Sequence, residues 1–162
     1  MIQTITPIDN TIYIERDYNS KLIEDTLSNS VIAQNEWAKL PVNERVILLQ
    51  NFVSDFLSKE SQIIEEITRQ MGRPISQAIS ELKGFKERAD YMLSIAEDKL
   101  QNIYLPEKEN FKNYIKRIPM GVSLVIAPWN YPYLTSVNSI IPSLASGNTV
   151  ILKHSAQTPL CA

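Results

Sequence analysis

The sequence has 162 residues, 44% of them hydrophobic, which suffices for a buried core and suits one ordinary domain by length. Lys and Arg number 16 against 18 Asp and Glu, a formal charge of −2, and no basic stripe alternates with aromatics, so the chain carries no electrostatic footprint for nucleic acid or an anionic membrane surface. The amino terminus has no basic region leading into an apolar run and nothing approaches the ~20 apolar residues of a membrane span, so the expectation is a soluble, cytoplasmic protein. Its one cysteine, Cys161, cannot form an internal disulfide, in keeping with a reducing compartment.

In chain order, Pro7-Ile-Asp-Asn-Thr11 is a turn signal between short β-branched runs and predicts a hairpin or paired edge strands up to Arg16. Leu22, Ile23, Leu27, Val31 and Trp37 make a loose helical stripe. A clearer one, Val46, Leu49, Phe52, Val53, Phe56 and Leu57, follows a start signal at Pro41 and Asn43. Ile63, Ile64, Ile67 and Met71 form a third helical face that stops at Gly72 with Pro74 beyond it. From Ile75 through Ala78, Leu82, Phe85, Ala89 and Leu93 to Leu100 the helical period persists for several turns, with Gly84 an interior weakness of ~1 kcal/mol relative to alanine.

The pattern changes after Leu105. Pro106-Glu-Lys-Glu-Asn110 reads as a charged turn and Phe111 to Ile118 as an exposed edge strand. Val122 to Ala127 is continuously apolar, the signature of a parallel strand covered on both faces. Tyr133 to Ala145 spans a crossover helix that stops at Gly147-Asn148, and Thr149 to Leu152 is the next strand. Together these make one βαβ unit, so the fold class is α/β.

In open α/β sheets ligands bind at the carboxyl ends of the strands. Asn130 sits there, directly after Pro128-Trp129, where its amide could donate to an oxyanion, a type of contact whose removal costs ~2.7 to 4 kcal/mol of transition-state stabilisation. The plainer alternative is a tight turn in which Asn130 caps the following helix. Lys153 ends the second strand and could reach a ribose hydroxyl or phosphate, or could be a solvated lysine. His154 has no acid or nucleophile near it in sequence and reads as a packed or solvent-facing histidine without a catalytic role. Cys161 follows Thr158-Pro159, a helix start with Thr158 as cap, and reads as a packing residue, although a helix amino terminus can lower a thiol pKa. No second His or Cys stands at metal-ligand spacing, and neither a Gly-x-Gly-x-x-Gly nor a Walker loop is present.

The segments Pro119-Met-Gly-Val122 with Pro128-Trp-Asn-Tyr-Pro132, and Gly147-Asn-Thr-Val-Ile-Leu-Lys153, resemble those of NAD(P)-dependent aldehyde dehydrogenases almost residue for residue. The likeness extends, less specifically, to Ala38-Lys-Leu-Pro41, Thr68-Arg-Gln-Met-Gly-Arg-Pro74 and Thr158-Pro159. It implies the first part of that family's Rossmann-like sheet, an incomplete fold in which residues 1–110 are the amino-terminal hairpin and helices of the cofactor domain. Residues 111–119 would be a strand of an oligomerisation hairpin and 120–162 the first βαβ unit of the dinucleotide-binding domain. It implies oxidation of an aldehyde to a carboxylate with NAD or NADP by a homo-oligomeric enzyme. In such enzymes the asparagine matching Asn130 holds the substrate oxygen, the backbone matching Ile126, Ala127, Pro128 and Trp129 borders the nicotinamide ribose, and the lysine matching Lys153 contacts the adenosine ribose. Where many NAD-preferring members carry a glutamate this chain has Ala156, which with Ser155 and Lys153 leaves less repulsion toward an NADP phosphate. The pair Lys153-His154 is similar to one in some bacterial succinate-semialdehyde dehydrogenases.

A complete member is roughly three times this length, and its catalytic cysteine and glutamate match nothing up to Ala162, so these residues alone are expected to be inactive. A non-catalytic, truncated dinucleotide-binding or interaction module is the alternative.

Overall fold

A computed structural model describes residues 1–106 and 109–161. The amino-terminal turn forms as its sequence suggests: Asp9 Oδ1 accepts from the Thr11 amide at 2.9 Å and its hydroxyl at 2.7 Å, while Asn10 takes a left-handed φ of 63°. This joins β1 (Ile2–Ile5) and β2 (Ile12–Arg16) as an antiparallel hairpin. Its buried threonines tie it down. Thr6 Oγ1 donates to the Arg69 carbonyl at 2.6 Å and Thr4 Oγ1 to the Ala156 carbonyl at 2.8 Å.

Four helices follow: α1 (Ser20–Trp37), α2 (Val42–Ser58), α3 (Glu60–Met71) and α4 (Ile75–Lys99). Gly72 closes α3 with φ 74°, the left-handed cap conformation that glycine adopts without strain. The apolar faces of α2, α3 and α4 meet in one core with Tyr133, Val137, Ile141 and Ala145 of α5 (Pro132–Ala145). Helices α4 and α5 pack closely at Gly84, where a Cβ would stand 2.6 Å from Leu134 Cδ1, so any larger residue there requires the end of that side chain to shift. Helix α1 differs. Asn19 caps it through a 3.1 Å bond to the Leu22 amide, yet none of its residues is fully buried, and Leu22, Ile23, Leu27 and Val31 of the sequence-derived stripe are exposed.

The edge strand expected over Phe111 to Ile118 is much shorter. Apart from an isolated bridge at Phe111, it forms a strand only at β4 (Tyr114–Ile115), antiparallel with β3 (Ile103–Tyr104), both strands being exposed with no apolar layer to extend against. Glu107 and Lys108 of the expected charged turn lie outside the described residues.

The βαβ unit consists of β5 (Val122–Ile126), α5 and β6 (Thr149–Lys153), the two strands parallel with Ile126 opposite Lys153. The expected coverage of β5 on both faces does not hold. Val125 and Ala127 are buried, whereas Leu124 and Ile126, on the opposite face of the pleat, are 64% and 66% exposed. Helix α1 lies mainly over β6, so Leu22, Ile23 and Leu27 form one wall of an apolar groove whose floor is Val122, Leu124 and Ile151. Beyond β6 a short 3₁₀ turn, Pro159–Cys161, is docked on α3 by Gln70, whose Oε1 accepts from the Leu160 amide at 2.9 Å.

Candidate functional site

Helix α5 begins just beyond the carboxyl end of β5, so its unpaired amino-terminal N–H groups face the edge where Asn130 sits. Tyr131 is the N-cap residue and offers no side-chain bond. The acceptor comes instead from α4. Glu81, 1% exposed, takes the amides of Tyr133 at 2.9 Å and Leu134 at 3.2 Å on Oε1, placing a negative charge at the positive end of the helix dipole. A buried carboxylate needs a counter-charge. Arg73, in the loop between α3 and α4, pairs with Glu81 Oε2 through one nitrogen and donates through the other to the Asn130 carbonyl. Its guanidinium carbon lies 4.2 Å from the centre of the Tyr131 ring, a stacked cation–π contact.

The loop from Trp129 to Tyr131 is therefore gripped through its backbone and one ring, and flanked by Pro128 and Pro132, whose φ angles are fixed. The Asn130 side chain takes no part in this. It is exposed and makes no hydrogen bond to any described residue, so the capping role considered for it falls to Glu81. A free amide on a held backbone at a strand edge can donate to an anionic oxygen.

The neighbouring residues from the sequence analysis gather at the same edge. Ile126 and Trp129 are exposed, Pro128 is half-buried and Ala127 is buried, with the Ala127 amide donating to the Lys153 carbonyl at 3.1 Å. Trp129 also lines a cleft of about 460 Å³ with Pro7, Met71 and Gln157. The exposed Lys153 gives one Nζ bond to the His154 carbonyl at 3.0 Å, leaving donor capacity on its ammonium. Ser155 is used locally, its Oγ accepting from the Gln157 amide at 3.2 Å. The exposed Ala156 turns its carbonyl to the hairpin, where it receives Thr4 Oγ1 and, at 3.0 Å, Arg16 Nη2. Arg16 is a cation near this edge that the sequence did not single out.

His154 and Cys161 line one cavity of about 390 Å³ beneath α5, together with Tyr133, Phe56 and Phe85. Burial, aided by the Lys153 cation, holds the imidazole below its ordinary pKa, and neither ring nitrogen has a hydrogen-bond partner among the described residues. Burial pushes the Cys161 thiol up to about 11. The two side chains are thus neutral near pH 7 and do not form an activated thiolate and imidazolium. The Thr158 hydroxyl is buried with no partner among the described residues, so the expected side-chain cap at Thr158 does not form. Among the described residues no group of three His, Cys, Asp or Glu could hold a metal ion, and no helix is long and apolar enough to cross a membrane.

Sequence reasoning missed Arg73 and Glu81. A signal for Glu81 was present, since it interrupts the apolar face formed by Ala78, Leu82 and Phe85, and a carboxylate at such a place requires a partner.

The profile described as "Aldehyde dehydrogenase family" matches residues 1–162. The chain is similar to the 3,6-anhydro-alpha-L-galactose dehydrogenase of Vibrio sp. (strain EJY3), at 27% identity over 98% of this chain and 33% of that protein. It is also similar to the mitochondrial succinate-semialdehyde dehydrogenase of Arabidopsis thaliana, at 29% identity over 88% of this chain and 27% of that protein. Among solved structures, the succinic semialdehyde dehydrogenase from Streptococcus pyogenes in complex with NADP+ superposes with a TM-score of 0.88 at 27% identity, over 100% of this chain and 36% of that one. The chain spans about a third of the length of these relatives.

Proposed function

The chain belongs to the aldehyde dehydrogenase family, and from that premise we propose that it supplies the oxyanion donor and part of the cofactor surface of an enzyme that converts an aldehyde, water and NAD(P)+ into a carboxylate, NAD(P)H and two protons. The observation that carries this reading is the Asn130 amide, exposed and unbonded among the described residues while the backbone around it is fixed. When a thiolate adds to the aldehyde carbonyl, the oxygen gains negative charge, and a fixed amide N–H stabilises that charge more than it stabilises the starting carbonyl. Asn130 is the group placed to do so.

A nicotinamide dinucleotide fits this edge in part. Ile126, Pro128 and Trp129 offer apolar and backbone surface, and Lys153 offers N–H donors for a ribose hydroxyl. The NADP+ in the Streptococcus pyogenes structure supports a cofactor of this class. Bound there, the dinucleotide supplies the hydride acceptor. With no carboxylate at Ala156, this chain would repel a 2′-phosphate less than one with glutamate there.

The nucleophile and the base that activates water are not proposed among residues 1–162, because Cys161, the one cysteine, is buried with its thiol pKa raised to about 11. The whole protein, assayed with a panel of aldehydes, is expected to reduce NAD+ or NADP+, and residues 1–162 alone are not. Failure of the whole protein on every aldehyde would remove the catalytic reading. NAD(P)H production by residues 1–162 that disappears in Cys161→Ser would instead place the nucleophile inside this chain.

A further inference from the structure

The Arg73–Glu81 pair is set where its burial has a use beyond holding two helices. Glu81 is inside the core with a side chain 0% exposed, and Arg73 is 12% exposed. Burying such a pair stabilises little in itself, since desolvation offsets most of the attraction. What the pair gains is geometry. Both of its ends reach the segment that carries Asn130: the carboxylate grips the amides of Tyr133 and Leu134, and the guanidinium grips the Asn130 carbonyl and lies against Tyr131. Among the contacts of the described residues, those of Arg73 and Glu81 hold this loop from α4 and the turn before it, rather than from the sheet.

We propose that Arg73 and Glu81 are positioning residues for the Asn130 amide, setting where its N–H donors point without touching substrate themselves. The inference rests on the assignment of Asn130 as oxyanion donor. A planar guanidinium can donate to Glu81 and to Asn130 at once in a fixed fork, whereas an ammonium keeps the charge beside Glu81 but not the fork. Arg73→Lys therefore leaves the buried carboxylate compensated while loosening the loop. A donor displaced by a fraction of an ångström loses much of its effect on the transition state, here about 10-fold in turnover.

The test is a double-mutant cycle in the whole enzyme, with kcat measured by NAD(P)H formation and cofactor Kd by fluorescence quenching. Arg73→Lys is expected to lower kcat about 10-fold with an unchanged cofactor Kd, and Arg73→Lys combined with Asn130→Ala to be no slower than Asn130→Ala alone, because the arginine acts through the amide. Glu81→Gln, which keeps an oxygen for the two helix amides, is expected to lower kcat in the same direction. Losses that multiply in the double variant, or a normal kcat in Arg73→Lys when Asn130→Ala is slow, would overturn the positioning role and leave the Asn130 assignment standing. Full turnover in Asn130→Ala would overturn both.

Discussion

Two asparagines flank α5, and their side chains have opposite fates. Asn148, just beyond the carboxyl end, is buried and fully engaged: Oδ1 accepts from the amides of Met120 at 2.6 Å and Gly121 at 2.9 Å, and Nδ2 donates to the Ser143 carbonyl and to Ser146 Oγ. Around it Trp37 and Arg45 donate to the carbonyls of Leu144 and Ala145, completing the end of the helix. Asn130, just before the amino end, makes no side-chain bond to a described residue although its backbone is held by Arg73. The same residue type thus has two environments. Where every donor and acceptor is satisfied internally the amide stitches α5 to the start of β5; where the scaffold is satisfied by other groups the amide stays exposed and without a partner among the described residues, which is what the proposed donor role requires.

The largest loss of stability is expected at Asn148. Asn148→Ala leaves two backbone amides without their acceptor in a nearly buried place, which is expected to destabilise the protein by about 2 to 3 kcal/mol. Denaturant unfolding of the whole protein should show this as a lower midpoint, with turnover per folded molecule unchanged. Turnover lost without a change in midpoint would mean that the two ends of α5 are not distinct in role.

A smaller effect is expected at the cofactor edge. Ala156→Glu adds a carboxylate beyond β6, and repulsion of a 2′-phosphate is expected to shift preference toward NAD+ by ~1 kcal/mol, the low end for such a pair because this position is exposed and screened. The ratio of kcat/KM for the two cofactors, before and after substitution, measures it. A ratio that does not move would place cofactor choice elsewhere, with Arg16 a candidate since its guanidinium reaches the Ala156 carbonyl.

The helices were legible because their signals are local. The apolar period of α2, α3 and α4, the Gly72-Arg-Pro74 stop and the hairpin turn at Asp9-Asn10 each act within a few residues. The βαβ unit was legible for the same reason. Coverage of β5 was not: an apolar run says that a strand can be buried on both faces, not what lies over it, and α1 leaves Leu124 and Ile126 open. The grip on Asn130 was also hidden, because Glu81 and Arg73 reach partners 52 and 57 residues away in the chain. The close approach of Gly84 to Leu134 was hidden likewise, because the two residues lie on different helices.

If Asn130 serves chemistry and Asn148 serves the fold, the decisive measurement is of kcat and unfolding midpoint side by side for Asn130→Ala in the whole enzyme, under conditions where chemistry limits the rate. The expected result is a fall in kcat of about 10² or more, with the midpoint and the cofactor affinity nearly unchanged. Unaltered kcat, or a fall matched by a comparable loss of stability, would contradict that division of roles and make Asn130 a second structural asparagine.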